Sequence, residues 1–204
     1  NLGLGTASLS MGSLISTSSC APSGDSRDKR GKVSDDDQFL FIGDDIAIAQ
    51  TEYGKVQGYL LNHVYTFLGV PYGADTSGKN RFMPPQKPEP WTDVRPAVFY
   101  GNTAPQRMEN RWPNNYGTFA DHWNYWDVSE DCLYLNVWTP GIADGKRRPV
   151  LVWLHGGGFT NGSGIEQDGY HGENISREGD IVFCSINHRL GPIGFSDLSG
   201  VGGE

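Results

Sequence analysis

Residues 150–159 read Val150-Leu151-Val152-Trp153-Leu154-His155-Gly156-Gly157-Gly158-Phe159. Their unbroken apolar start predicts a buried strand covered on both faces, as at the centre of an α/β sheet. A second such run, Ile181–Asn187, predicts a neighbouring strand of the same kind. Between them, the polar stretch Asp168–Gly179 predicts a short helix stopped by its final glycine. The three glycines lie just past the C-terminal end of the first strand, where open α/β sheets place ligands.

Glycine leaves successive peptide groups unshielded by side chains. Backbone N–H groups converging on one point suit the negative oxygen of a tetrahedral intermediate in ester hydrolysis. The order strand, His155, Gly-Gly-Gly, aromatic is that of the oxyanion turn of lipases and esterases. A phosphate cradle competes, because Gly157 and Gly162 have the spacing of a phosphate-binding loop. Ser163 and Gly164, however, stand where that chemistry needs Lys and Ser or Thr.

Shorter strand-like runs precede these elements: Ile46–Thr51, Gly58–Leu61, Val64–Leu68 and Leu133–Thr139. The first three predict a small antiparallel meander with bends at Tyr53-Gly54-Lys55 and Asn62-His63. Residues 69–131 are rich in Pro, Trp, Tyr and Asn, including Trp91, Trp112, Tyr116, Trp123 and Trp126. A segment this long and irregular is expected to pack its rings onto the sheet or to wall a pocket.

The 204 residues are 37% apolar and 20% charged, enough for one domain with its own core. The 28 glycines and 12 prolines favour turns and short strands over an all-helical fold. A net charge of −8 with no basic stripe argues against nucleic acid as a partner. No apolar run reaches the roughly 18 residues of a transmembrane helix. Three cysteines, Cys20, Cys132 and Cys184, match neither a disulfide scaffold nor a zinc site.

The Gly/Ser/Thr-rich residues 1–19 resemble the later part of an export signal, with Ser18-Ser19-Cys20 as a loose lipoprotein-type cleavage site; a plain flexible tail is the other reading. Export to the periplasm, cell surface or medium, with possible lipidation of Cys20, is therefore an expectation. Residues 21–38 read as a solvated linker, and folding is expected to start near Phe39.

Four segments carry a family resemblance. They are Thr66-Phe67-Leu68-Gly69-Val70-Pro71-Tyr72-Gly73 with Arg81-Phe82 and Pro84-Pro85; Ser129-Glu130-Asp131-Cys132-Leu133-Tyr134-Leu135-Asn136-Val137-Trp138; His155–Phe159; and Ser185–Phe195. Together they resemble the type-B carboxylesterases and cholinesterases over about residues 48–198. The resemblance implies an α/β-hydrolase fold, with residues 39–204 as its N-terminal part: the meander plus the first strands of the main sheet. It implies a serine esterase acting on a small carboxylic ester, with no metal or organic cofactor. Gly157 and Gly158 are then the oxyanion donors, and Phe159 and Trp123 the expected substrate contacts. Arg81, Glu130 and Arg189 take structural roles, the first two as an ion pair pinning the long loop. His155 and His188 are expected to be architectural, because the catalytic histidine of this fold comes last in chain order.

Two departures stand out. No serine here has glycine at both −2 and +2, so the Gly-x-Ser-x-Gly elbow and the whole Ser, acid and His set are missing. The simplest expectation is an N-terminal piece of a longer protein, inactive alone. A non-catalytic cholinesterase-like adhesion or binding module and a partner-supplied second half are the alternatives. In many members of the family, Cys132 pairs with an upstream cysteine; none lies between Cys20 and Cys132, so a buried free thiol is expected.

Overall fold

The computed structural model describes residues 39–107, 127–198 and 200. Nine strands and two short α-helices occur among them: β1 Leu40–Phe41, β2 Ile48–Gln50, β3 Lys55–Gln57, β4 Tyr59–Leu61, β5 Val64–Pro71, β6 Arg95–Pro96, β7 Tyr134–Thr139, β8 Val150–Trp153, α1 Glu173–Gly179, β9 Val182–Ile186 and α2 Gly191–Phe195. Six strands form one sheet in the order β1-β4-β5-β7-β9-β8, and three form a small sheet β2-β3-β6. In the large sheet every neighbouring pair is antiparallel except β8 with β9.

Each of the six expected runs contains a strand, but the expected meander is divided between the two sheets. β2 and β3 pair in the small sheet, whereas β4 and β5 form a hairpin in the large one. The break falls at Gly58, where a Cβ would collide with the Thr66 carbonyl and the Phe67 ring, so the chain can cross there only without a side chain. The hairpin turn is Asn62-His63, with φ 47° and 66°. Two left-handed residues match the strand twist, and Asn62 is further held by accepting from the Phe39 N–H and donating to Glu173.

The interior strand β9 is largely buried, as its apolar run predicts, and packs Phe183 with Val64, Leu68 and Trp138. β8 departs from expectation. It is the edge strand, and Val150, Val152 and Leu154 are 54–63% exposed. An apolar run records that a strand is suited to cover, not where the cover comes from. Among the described residues no strand pairs beyond β8, and Tyr170 of the 3-10 turn Asp168–Tyr170 packs on its Trp153.

The helix after the glycine turn also ends differently. Gly179 is inside α1, and the left-handed cap is Asp180, φ 46°, whose N–H bonds the Ser176 carbonyl. An aspartate tolerates this conformation, and here its carboxylate is tied to Arg148 at 2.7 Å, with Arg148 also bonded to Asp144 at 2.7 Å. The shared guanidinium holds Asp144 down at about 2.

β5 carries a register shift between Phe67 and Val70, centred on Gly69 at φ 65°. Buried Asn136 of β7 fills the gap: its carbonyl oxygen accepts from the Gly69 N–H at 3.0 Å, and its amide donates to the buried Ser185 hydroxyl at 3.1 Å. Asn136→Ala orphans both groups and is expected to cost about 2–4 kcal/mol, read as a lower urea midpoint at unchanged m value. The sequence-matched surface change Asn80→Ala is the control and leaves the midpoint in place.

Candidate active site

The glycine turn leaves β8 with Gly157 at φ 126°, Gly158 at 61° and Phe159 at 63°. Three consecutive left-handed residues are costly for anything with a side chain, which explains two of the glycines. Gly157 has a second reason, since a Cβ there would run into Asn161. A Cβ on Gly158 would meet only open space.

Peptide planarity makes the carbonyls informative. In a trans peptide the C=O and the following N–H point to opposite sides. The Gly157 carbonyl is taken inside the turn, accepting from the Thr160 N–H at 3.1 Å, the Asn161 N–H at 3.3 Å and the Thr160 hydroxyl at 3.0 Å. The N–H on the other side of that peptide, that of Gly158, is thereby turned outward. The Gly156 carbonyl lies 2.8 Å from His155 Nδ1; a carbonyl only accepts, so Nδ1 carries the proton, and the Gly157 N–H faces away. Among the described residues neither the Gly157 nor the Gly158 N–H has an acceptor.

Both glycines line a cleft of about 540 Å³ together with Tyr72, Pro85, Leu133, His155, Phe159 and Phe195. Phe159 is largely exposed and packs on Phe195, ring centroids 4.6 Å apart. His155 stacks on His188 at 4.5 Å and 4°. The Gly191 N–H at the start of α2 bonds the Phe159 carbonyl at 2.7 Å, closing the turn onto the segment after β9.

Arg81 and Glu130 form an ion pair at 2.8 Å, with Arg81 about half exposed. Arg189 donates to the Met83 carbonyl at 2.9 Å. These two contacts hold residues 81–85 from both sides and so place Pro85 in the cleft wall. The exposed ion pair itself contributes only about 0–1 kcal/mol, so its effect is one of position. Trp123 and Cys20 lie outside the described residues.

Sequence reasoning passed over Gln106 and Asn187. Asn187 sits where β9 ends: its side chain accepts from the Gly164 N–H at 2.8 Å and donates to the Asn102 carbonyl at 3.0 Å, while its own carbonyl accepts from the Tyr72 phenol at 2.7 Å. Gln106 lies outside every apolar run, and Asn187 is only the polar last residue of the run Ile181–Asn187. The only available signal is a polar residue beside a buried strand, in the position where loop backbone needs partners.

A family model described as the carboxylesterase family matches residues 45–201. Phenmedipham hydrolase from Pseudarthrobacter oxydans is 45% identical over 157 residues, covering 77% of this chain and 30% of that protein. Acetylcholinesterase from Electrophorus electricus is 37% identical over 176 residues, covering 79% and 27%. Among solved structures, an esterase from Clostridium hathewayi described as hydrolysing aliphatic aromatic polyesters superimposes with a TM-score of 0.71 at 38% identity, over 81% of this chain and 32% of that one. The chain belongs to the carboxylesterase family, and its fold is the N-terminal part of the α/β-hydrolase fold. It spans about 30% of the length of these relatives.

Cys132 and Cys184 are both buried free thiols. Burial pushes Cys132 up to about 12 and Cys184 up to about 11. Both stay protonated in the folded state where an unfolded thiol, near 8.5, ionises. Their contribution to stability is therefore full below about pH 8.5 and is lost as pH climbs toward 11 and 12. At pH 8 iodoacetamide is expected to leave both unlabelled in the native protein and to label both in urea, read by peptide mass spectrometry. Native labelling of either would contradict its burial.

Proposed function

We propose that the full-length protein is a serine-dependent carboxylic ester hydrolase, and that this chain supplies its oxyanion hole. The carrying observation is the pair of outward N–H groups of Gly157 and Gly158, each without an acceptor among the described residues and each oriented through its own peptide. A serine from outside residues 1–204 attacks the acyl carbon while a histidine takes its proton. The carbonyl π electrons move onto oxygen, and the two N–H groups stabilise that charge. Collapse expels the alcohol, protonated by the same histidine. Water then attacks the acyl-serine by the same route, releasing the acid and restoring the serine.

The exposed apolar strand β8 supports adding the rest of the sheet at that edge, since a strand of this composition suits cover on both faces. Phe159 and Pro85 form acyl- or alcohol-facing wall in this reading, and Trp123 is assigned to the same wall by family resemblance alone. Export, with or without lipidation at Cys20, is inferred from residues 1–20 alone.

Gly158→Ala tests the assignment better than a change at Gly157, because its Cβ meets nothing within 4 Å. The left-handed φ still penalises alanine by about 1–2 kcal/mol and so turns the peptide. In the full-length enzyme, kcat for an aryl ester is expected to fall by about 10² or more with the melting temperature lowered by only a few degrees, while residues 1–204 alone give no turnover. Unchanged kcat removes Gly158 from the hole. A continuation without Gly-x-Ser-x-Gly favours a binding or adhesion module instead.

A further inference from the structure

The glycine turn needs something outside itself to hold its far leg, and the segment before residue 107 provides it. Gln106 donates from its side-chain amide nitrogen to the Gly162 carbonyl at 3.0 Å and accepts from the Gly162 N–H at 2.8 Å. The same nitrogen donates to the Ala104 carbonyl at 3.1 Å. The amide thus pairs with Gly162 as a neighbouring strand would, using one donor and one acceptor, while its second hydrogen ties it to its own backbone.

Gly162 is a point where little slack exists. Its φ is 112°, and a Cβ there would strike the Gly156 carbonyl and the His155 ring. It follows Asn161, whose N–H bonds the Gly157 carbonyl. Fixing Gly162 therefore bears on both peptides that carry the outward donors: on one through His155 and the Gly156 carbonyl, on the other through Asn161 and the Gly157 carbonyl.

The support behind Gln106 is itself held. The Thr103 N–H bonds the Asp127 carbonyl at 2.8 Å, the Ser129 N–H bonds the Thr103 carbonyl at 2.9 Å, and Asn102 donates to the Asp131 carbonyl at 3.0 Å. Ala104 is buried with Cys132, Leu133 and Leu190. A half-buried glutamine on such a base transmits position and not only contact.

We propose that Gln106 is a positioning residue for the oxyanion donors, acting through Gly162 to set the direction of the Gly157 and Gly158 N–H groups. The proposal rests on the reading of the glycine turn as the oxyanion hole. Displacement of catalytic donors by a fraction of an ångström to one ångström costs about 10- to 10²-fold in rate.

The test uses the full-length enzyme with Gln106→Met, which keeps the length and removes the paired bonds, and with Gln106→Glu, which keeps the acceptor for the Gly162 N–H. A trifluoromethyl ketone, which adds to a serine to form an oxyanion, is the probe beside an aryl ester. For Gln106→Met we expect kcat to fall by about 10- to 10²-fold with KM within about twofold, and the inhibition constant of the ketone to rise by the same factor. Gln106→Glu is expected to lie between Met and wild type in both readouts, and it carries the test if the Met variant does not fold. A purely structural role would lower the melting temperature and the yield of active sites, leaving kcat per titrated site and ketone affinity unchanged; that result overturns the proposal. Gly158→Ala separates the two levels. If it lowers kcat and ketone affinity while the Gln106 variants do not, only the role of Gln106 falls; if neither site affects them, the oxyanion reading falls with it.

Discussion

The planarity of the peptide bond is the constraint on which this site turns. Two backbone N–H groups are held toward one side when the carbonyls on the opposite sides of their peptides are bonded within the protein. The Gly157 carbonyl finds three donors from Thr160 and Asn161, and the Gly156 carbonyl finds the His155 ring. The turn spends its internal hydrogen bonds on acceptors and leaves its donors outward. Left-handed backbone at three successive residues is what brings this about, and glycine at 157 and 158 makes it affordable.

Everything around the turn limits how it can relax. His155, at its start, stacks on His188, the Gly191 N–H grips its Phe159 carbonyl, and the Asn187 side chain joins the following Gly164 to the end of β9. Farther out, Arg81 with Glu130 and Arg189 with Met83 fix the strip that completes the cleft wall. These are mostly bonds to backbone, and they use polar side chains where regular strand pairing has ended. In the proposed oxyanion role, a preorganised donor pair would gain its effect because it does not have to reorient as charge develops.

Much of this architecture was legible in the residues. The strand runs 64–68, 133–139 and 181–187 announce themselves by apolar composition, and the glycine turn by its position after Leu154. Less legible were features set by long-range contact. The division of the meander at Gly58 depends on the Thr66 carbonyl, which lies in β5 and not beside it in the chain. The helix stop at Asp180 depends on Arg148, and a glycine one residue earlier drew the expectation instead. The exposure of β8 could not follow from its own composition, because an apolar run is the same whether or not its cover is present. Gln106 lies outside every apolar run and Asn187 is the polar end of one, and only the fold brings them to the loops they hold.

The proposed oxyanion role of Gly157 and Gly158 depends on where the negative oxygen sits. In a crystal structure of the full-length enzyme bearing a phosphonate on its serine, the phosphoryl oxygen is expected within about 2.7–3.1 Å of both the Gly157 and Gly158 nitrogens. A phosphoryl oxygen held by other donors, with both glycine nitrogens beyond hydrogen-bond distance, would contradict it.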